Sequence, residues 1–191
     1  AAGDDTKLIL NIEGAASMTI STLSGDKTGS KVSAKEVANF TVNGYDGEVV
    51  LYADVLNFSS DNLVDLTIDS TSNDLVTFTA TGVLNPNSTT ADTAGPAVAL
   101  SSQGDLETVT LDGTFTSVSL ASNGNLTTAT LGGTVTGATG VSISSNSDLT
   151  TLDVSDLTTD LLDVDGNSDL EVLTVDFTTA AGEATTQKGR S

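Results

Sequence analysis

NSDLTTLDV, Asn146 to Val154, is a nine-residue phrase that the chain repeats in related form. Its counterparts are QGDLETVTL (Gln103–Leu111), NGNLTTATL (Asn123–Leu131) and NSDLEVLTV (Asn167–Val175). The leucines Leu106, Leu126, Leu149 and Leu170 stand 20, 23 and 21 residues apart. After each leucine the apolar positions follow one rule: Val109 and Leu111, Ala129 and Leu131, Leu152 and Val154, Leu173 and Val175. Alternation over those positions, with Thr and Val enriched, is the signature of a short strand with one buried face. A second, looser unit follows in the same repeat, as in Phe115, Val118 and Leu120, or Leu161 to Val164. No window of similar length carries a helical stripe.

A unit of about 21 residues with two short strands cannot bury its apolar side alone, whereas copies stacked in register can. The expected fold is therefore all-β: a parallel β-solenoid (β-helix) with coils of about 21 residues stacked at the strand spacing of roughly 4.8 Å. About nine such coils are expected. Upstream on the same grid, SDNLVDLTI places Leu63 two periods before Leu106, and Gly82-Val83-Leu84 falls near the missing rung.

The repeat divides the chain. Residues 61–177 read as solenoid, with LNPNSTTADTAGP at 84–96, which holds both prolines, as a loop inserted in one coil. Residues 1–60 form a less regular N-terminal β region continuous with the solenoid. There KLILNI, SMTISTL, VANFTV and GEVVLYA read as strands, separated by SGDKTGS and NGYDG. These strands build either irregular first coils or an antiparallel cap. Residues 178–191 read as a polar C-terminal tail.

LTTLDVSDLTTDLLDVDGNSDLEVLTV, Leu149 to Val175, resembles the LTxLDVS-type leucine-rich-repeat-like proteins of bacterial surfaces. The resemblance covers residues 100–177, more faintly from 61. It implies an exported, surface-exposed solenoid used for attachment or assembly. Thr, Ser and Gly replace many of that family's leucines here, which fits a general β-helix as well as a horseshoe-shaped repeat.

Composition narrows the chemistry. The 191 residues hold 26 acids against six bases, with no His, no Cys and no Trp. Without His there is no ready general base near neutral pH, and without Cys no thiolate nucleophile or ligand. Two carboxylates suffice for glycoside hydrolysis, but sugar sites also need platforms that seven aromatics hardly supply. No enzymatic activity is expected.

Four lysines precede Glu36, Lys188 and Arg190 close the sequence, and between Glu36 and Gln187 there are 22 acids and no base. Such a body repels phosphate backbones, so nucleic acid is not expected as a partner. No apolar run approaches the ~20 residues of a membrane span. The Ala1-Ala2-Gly3 start is read as a mature end left by export. The expected partner is the protein itself, as a homopolymer, with surface glycans as a further possibility for an adhesin.

Two clusters invite a chemical reading. DVDGNSDLE gathers Asp163, Asp165, Asn167 and Asp169, oxygens of the kind calcium takes six to eight of. The glycine is not where an EF-hand has it. Asn167 stands in the column of Gln103, Asn123 and Asn146, and Asp169 in that of Asp105, Asn125 and Asp148; they suit a tight corner, because Asn and Asp bond nearby main chain and tolerate left-handed geometry. Asp163 and Asp165 replace Ser142 and Ser144 of the preceding repeat and are the surplus. The second cluster is a threonine array of the kind that could bind ice: Thr108 and Thr110 stack on Thr128 and Thr130. Thr151 with Asp153, then Val172 with Thr174, interrupt it.

Overall fold

The computed structural model describes residues 9–21, 30–45, 47–68, 74–83 and 95–176, together with the backbone of 184–187. Nineteen strands and no helix occupy the described residues. The first seven are β1 (Ile9–Glu13), β2 (Ser17–Ser21), β3 (Lys31–Lys35), β4 (Asn39–Asn43), β5 (Glu48–Leu51), β6 (Asn57–Leu63) and β7 (Asp65–Ile68). The middle six are β8 (Thr77–Gly82), β9 (Ala97–Ser101), β10 (Thr108–Phe115), β11 (Ser117–Ala121), β12 (Thr128–Leu131) and β13 (Gly133–Val135). The last six are β14 (Val141–Ser144), β15 (Thr151–Val154), β16 (Leu157–Thr159), β17 (Leu161–Asp165), β18 (Val172–Val175) and β19 (Ala184–Gln187).

All the pairings are parallel, so the chain is a β-solenoid. One long face stacks eight strands in the order β2, β4, β6, β8, β10, β12, β15, β18. The opposing flank is built in two blocks, β1-β3-β5-β7 and then β9-β11-β14-β17-β19. A short third side joins the end of β10 to β13 and β16. The nine coils expected from the repeat length are eight rungs on the long face.

The N-terminal region consists of coils, not of an antiparallel cap: Met18 lies beside Phe40, Phe40 beside Phe58 and Phe58 beside Phe78 in one parallel register. The column continues inward-facing through Val109, Ala129, Leu152 and Leu173. Its aromatic part stacks ring on ring, with centroids 6.0 Å apart for Phe40 and Phe58 and 5.1 Å for Phe58 and Phe78. Each such pair is worth about 0.5–1.5 kcal/mol beyond the area it buries. A second column, Val37, Val55, Leu75, Leu106, Leu126 and Leu149, fills the corner and is fully buried.

This register moves the upstream phase of the repeat. Leu63 is not the counterpart of Leu106: it ends β6 and pairs with Gly82, while Leu75 and Val55 hold the corner positions. The rung sought near Gly82-Val83-Leu84 is DLVTFTA, Asp74–Ala80, whose Phe78 pairs with Val109. The two residues are 31 apart because this coil contains the insertion. Residues 84–94 lie outside the described residues, and Gly95 and Pro96 already belong to the coil wall, where the Pro96 carbonyl accepts from Thr116 N–H. Within the polar tail, residues 184–187 add a further parallel strand beside β17.

Candidate functional site

At seven corners among the described residues the chain turns from the flank into the long face through one left-handed residue. Gly14, Glu36, Asp54, Ser102, Ser122, Ser145 and Gly166 hold φ between 55° and 70° at this position. Its N–H reaches the next coil, as in Glu36 to Ala53, Ser102 to Ala121, Ser122 to Ser144 and Ser145 to Asp165, so the ladder runs unbroken around the bend. In the last four of these coils three further residues follow before the inward leucine, and they close a turn from Leu149 N–H to the Asn146 carbonyl and its equivalents.

That turn carries an amide ladder. Asn123 N–H donates to Asn146 Oδ1 at 3.0 Å and Asn146 N–H donates to Asn167 Oδ1 at 3.0 Å, while Gln103 N–H donates to Asn123 Oδ1 at 2.9 Å. The Nδ2 groups of Asn123 and Asn146 donate to the next amide, and those of Asn123, Asn146 and Asn167 donate to main-chain carbonyls of the preceding coil, Leu100, Leu120 and Ile143. Asn123 and Asn146 are wholly buried, so these bonds satisfy groups that water does not reach.

The four residues proposed from sequence for calcium are thereby separated. Asn167 belongs to the ladder, with its oxygen shared between the N–H and Nδ2 of Asn146. Asp169 is exposed on the turn, in the column of Asp105, Asn125 and Asp148. Asp163 and Asp165 point out from β17 beside Ser142 and Ser144. Among the described residues no three acidic side chains gather where they could hold one metal ion. What remains for an ion is the exposed pair Asp163 and Asp165, with Asp169 around the corner.

The threonine array is longer than the sequence alignment found. Thr108 and Thr110 stack on Thr128 and Thr130, as expected, and also on Thr77 and Thr79 on their other side. Beyond these lie Asn57 with Ser59, Asn39 with Thr41, and Ser17 with Thr19. Six successive rungs thus present two columns of hydroxyl or amide groups with no charge in them, on a chain of net charge −20. Only then do Asp153 and Val172 interrupt it. Neighbouring rungs bond to each other, Thr41 Oγ1 with Ser59 Oγ at 2.8 Å and Asn57 Nδ2 to Asn39 Oδ1 at 3.1 Å.

The two ends of the stack form a third feature. Inner coils bury their inward residues completely: Leu149 and Leu152 are 0% exposed, as is Val32, and Phe40 is 1% exposed. Their counterparts in the end coils are only partly covered, Leu10 and Met18 at one end and Leu170, Leu173 and Val175 at the other. Ile9 and Val172, beside them, are 66% and 50% exposed.

No family model, no curated protein and no solved structure matches the chain.

Proposed function

We propose that this chain is a structural protein of the cell surface or extracellular space, a β-solenoid subunit that assembles with copies of itself into a filament, sheet or matrix. The observation that carries the proposal is the open apolar core at both ends of the stack. A parallel strand edge with unpaired N–H and C=O groups, above a half-covered row of Leu and Val, is a template for another chain. The acidic surface keeps the sides of the rod apart and directs association to the ends. Light scattering at rising protein concentration, with and without calcium, followed by electron microscopy of the same samples, tests the proposal. Growing particles resolving into polymers support it. A monomer under all conditions ends it.

A second reading, a monomeric binding module, is favoured by the uncharged face. Its groups repeat about every 4.8 Å across coils and about every 6.6 Å along a strand, a flat lattice of small polar groups suited to ordered water at an ice surface. The same face lacks the aromatic platforms that a glycan adhesin would use. Thermal hysteresis in the wild type that Thr79→Tyr and Thr110→Tyr abolish supports this module, and no hysteresis removes it.

A further inference from the structure

We infer that the head of the stack, its β1–β2 end, is a two-fold interface: two copies meet head to head, β1 pairing antiparallel with β1 and β2 with β2 of the second copy. This inference rests on the self-assembly reading and names its first contact. The head is level, because the first coil ends in both of its strands: among the described residues β1 pairs with β3 alone and β2 with β4 alone. The tail is stepped. There β19 extends the flank beyond β17, while no described strand lies beyond β18. A level head cannot seat on that step with both strands paired, but it can seat on another head.

Both edge strands have the same pattern read from either end. ILNIE and SMTIS each carry apolar residues at the second and fourth places, around a polar centre, Asn11 or Thr19. Antiparallel pairing about those centres sets Leu10 opposite Ile12 and Met18 opposite Ile20 of the second copy, all on the inward side. Leu10 and Met18 then gain the cover that one copy does not give them. The main chain agrees. Gly14 N–H donates to the Lys35 carbonyl, so by alternation Leu10 and Ile12 face β3, and Ile9, Asn11 and Glu13 turn N–H and C=O outward. Asn57 N–H donates to the Ala38 carbonyl, so Asn39 and Thr41 face β2, which leaves the groups of Ser17, Thr19 and Ser21 outward. Asn11 and Thr19 can each exchange a pair of hydrogen bonds with their counterparts. Each stands four residues from Ala15, the middle of the corner, so one two-fold axis passes through both.

Charge permits this joint at the head and opposes it at the tail. Residues 9–43 carry three acids and three bases, and Glu13, the one acid on the two edge strands, is paired with Lys35 at 3.0 Å. Residues 146–176 carry nine acids and no base, so two tails would set acid on acid. The dimer keeps both tails free, and their like charge makes growth beyond it depend on salt.

A two-fold joint sets each central residue against itself, which charge can read. Thr19 is exposed at the head and Thr174 at the tail. Thr19→Asp and Thr19→Lys, each alone, place like charges opposite each other and are expected to weaken the dimer at least about tenfold in analytical ultracentrifugation. Mixing the two variants should restore wild-type affinity, and the same two exchanges at Thr174 should leave the dimer unchanged. Variants that dimerise as wild type does, or a mixture no tighter than either variant alone, overturn the two-fold joint and leave assembly standing. A wild type that stops at the dimer, with the mixture restored, supports the joint and ends the polymer reading. A wild type that stays monomeric at all concentrations overturns both.

Discussion

The side-chain oxygen of Asn146 accepts two hydrogen bonds from Asn123, from the backbone N–H at 3.0 Å and from Nδ2 at 3.1 Å, in a corner closed to water. Asn146 Nδ2 also donates to the Leu120 carbonyl of the preceding coil and to Asn167 Oδ1 of the next, both at 3.0 Å, so one side chain ties three successive coils together.

Replacing Asn146 by Ala leaves the N–H of Asn123 without its acceptor, removes one of the two acceptors of Asn123 Nδ2 and takes a donor from the carbonyl of Leu120. Buried groups left unpaired cost roughly 1–3 kcal/mol each. Asn146→Ala is expected to lower the urea midpoint sharply, and Asn146→Asp to do no better, because a carboxylate cannot donate to Leu120 and would be charged while buried. Asn167→Ala should cost less, since Asn167 is partly exposed and stands near the end of the ladder. Equilibrium urea unfolding of the three variants checks the order.

The left-handed column makes a separate prediction. Ser122 and Ser145 hold φ near 57° while Gly166 holds 66° at the same corner position. An L-residue there costs roughly 1–2 kcal/mol, and Asn bears it better than Ser. Ser145→Asn should raise the melting temperature slightly, Gly166→Ala should lower stability by about 1 kcal/mol, and Gly166→Val should cost more because β-branching adds to the strain. A Cβ on Gly166 would meet nothing closer than 3.5 Å, so any loss reports backbone conformation and not a clash.

Acidity acts through stacked carboxylates. The hydrogen bond with the Asp74 carboxyl holds Asp54 above the ordinary aspartate value of 3.8, with burial and the charges of Asp74 and Glu36 adding to it. Asp65 is also pushed up, first by burial and then by Glu48, its partner in register. Groups whose pKa rises on folding stabilise most when protonated, and that contribution fades as pH climbs through the raised value. Asp153 goes the other way: the N–H and then the hydroxyl of Ser155 pull it below 3.8, so its contribution is lost only in stronger acid. The melting temperature should therefore rise as pH falls from 7 towards the raised carboxylate values, then drop below about pH 4. Asp54→Asn, which keeps a side chain suited to φ 60°, should raise the pH 7 value and flatten the rise.

The repeat was legible where the corner has a distinctive chemistry. Asn123, Asn146 and Asn167 mark their coils because an amide ladder needs that residue at that place, and the strands after them alternate cleanly. Upstream, Glu36 and Asp54 pass at once to Val37 and Val55, without the three turn residues, so the same coil shows no NSDL phrase to align on. That is why Leu63 looked like a corner leucine and why the neutral face was traced over two full rungs instead of six. The strand Lys31–Lys35 has a lysine at each end and gave no apolar signal beyond Val32 and Ala34. DVDGNSDLE looked like one acidic cluster because sequence distance does not tell which alternate residue points out: Asp163 and Asp165 do, and Asn167 does not.

The enlarged coil offers the most direct test of what is scaffold and what is addition. Gly82 pairs with Gly113, and Ala97 with Ser117. Between the second members of these pairs lie three residues, Thr114, Phe115 and Thr116, whereas between the first members the chain runs from Val83 to Pro96. Gly95 is pressed so close to the Thr114 carbonyl that a Cβ on it would sit 1.9 Å away, which places it in the coil wall. Deleting residues 84–94 leaves Val83, Gly95 and Pro96 as the three residues that the next coil uses. Loop length itself contributes little, about 0.6 kcal/mol for each doubling. The deletion variant is expected to unfold in one transition with its melting temperature within a few degrees of wild type, and to assemble as the wild type does in light scattering. If it unfolds or no longer assembles, the insertion belongs to the scaffold or to the joint between subunits; if it keeps both fold and assembly, residues 84–94 are free to serve a partner outside the polymer.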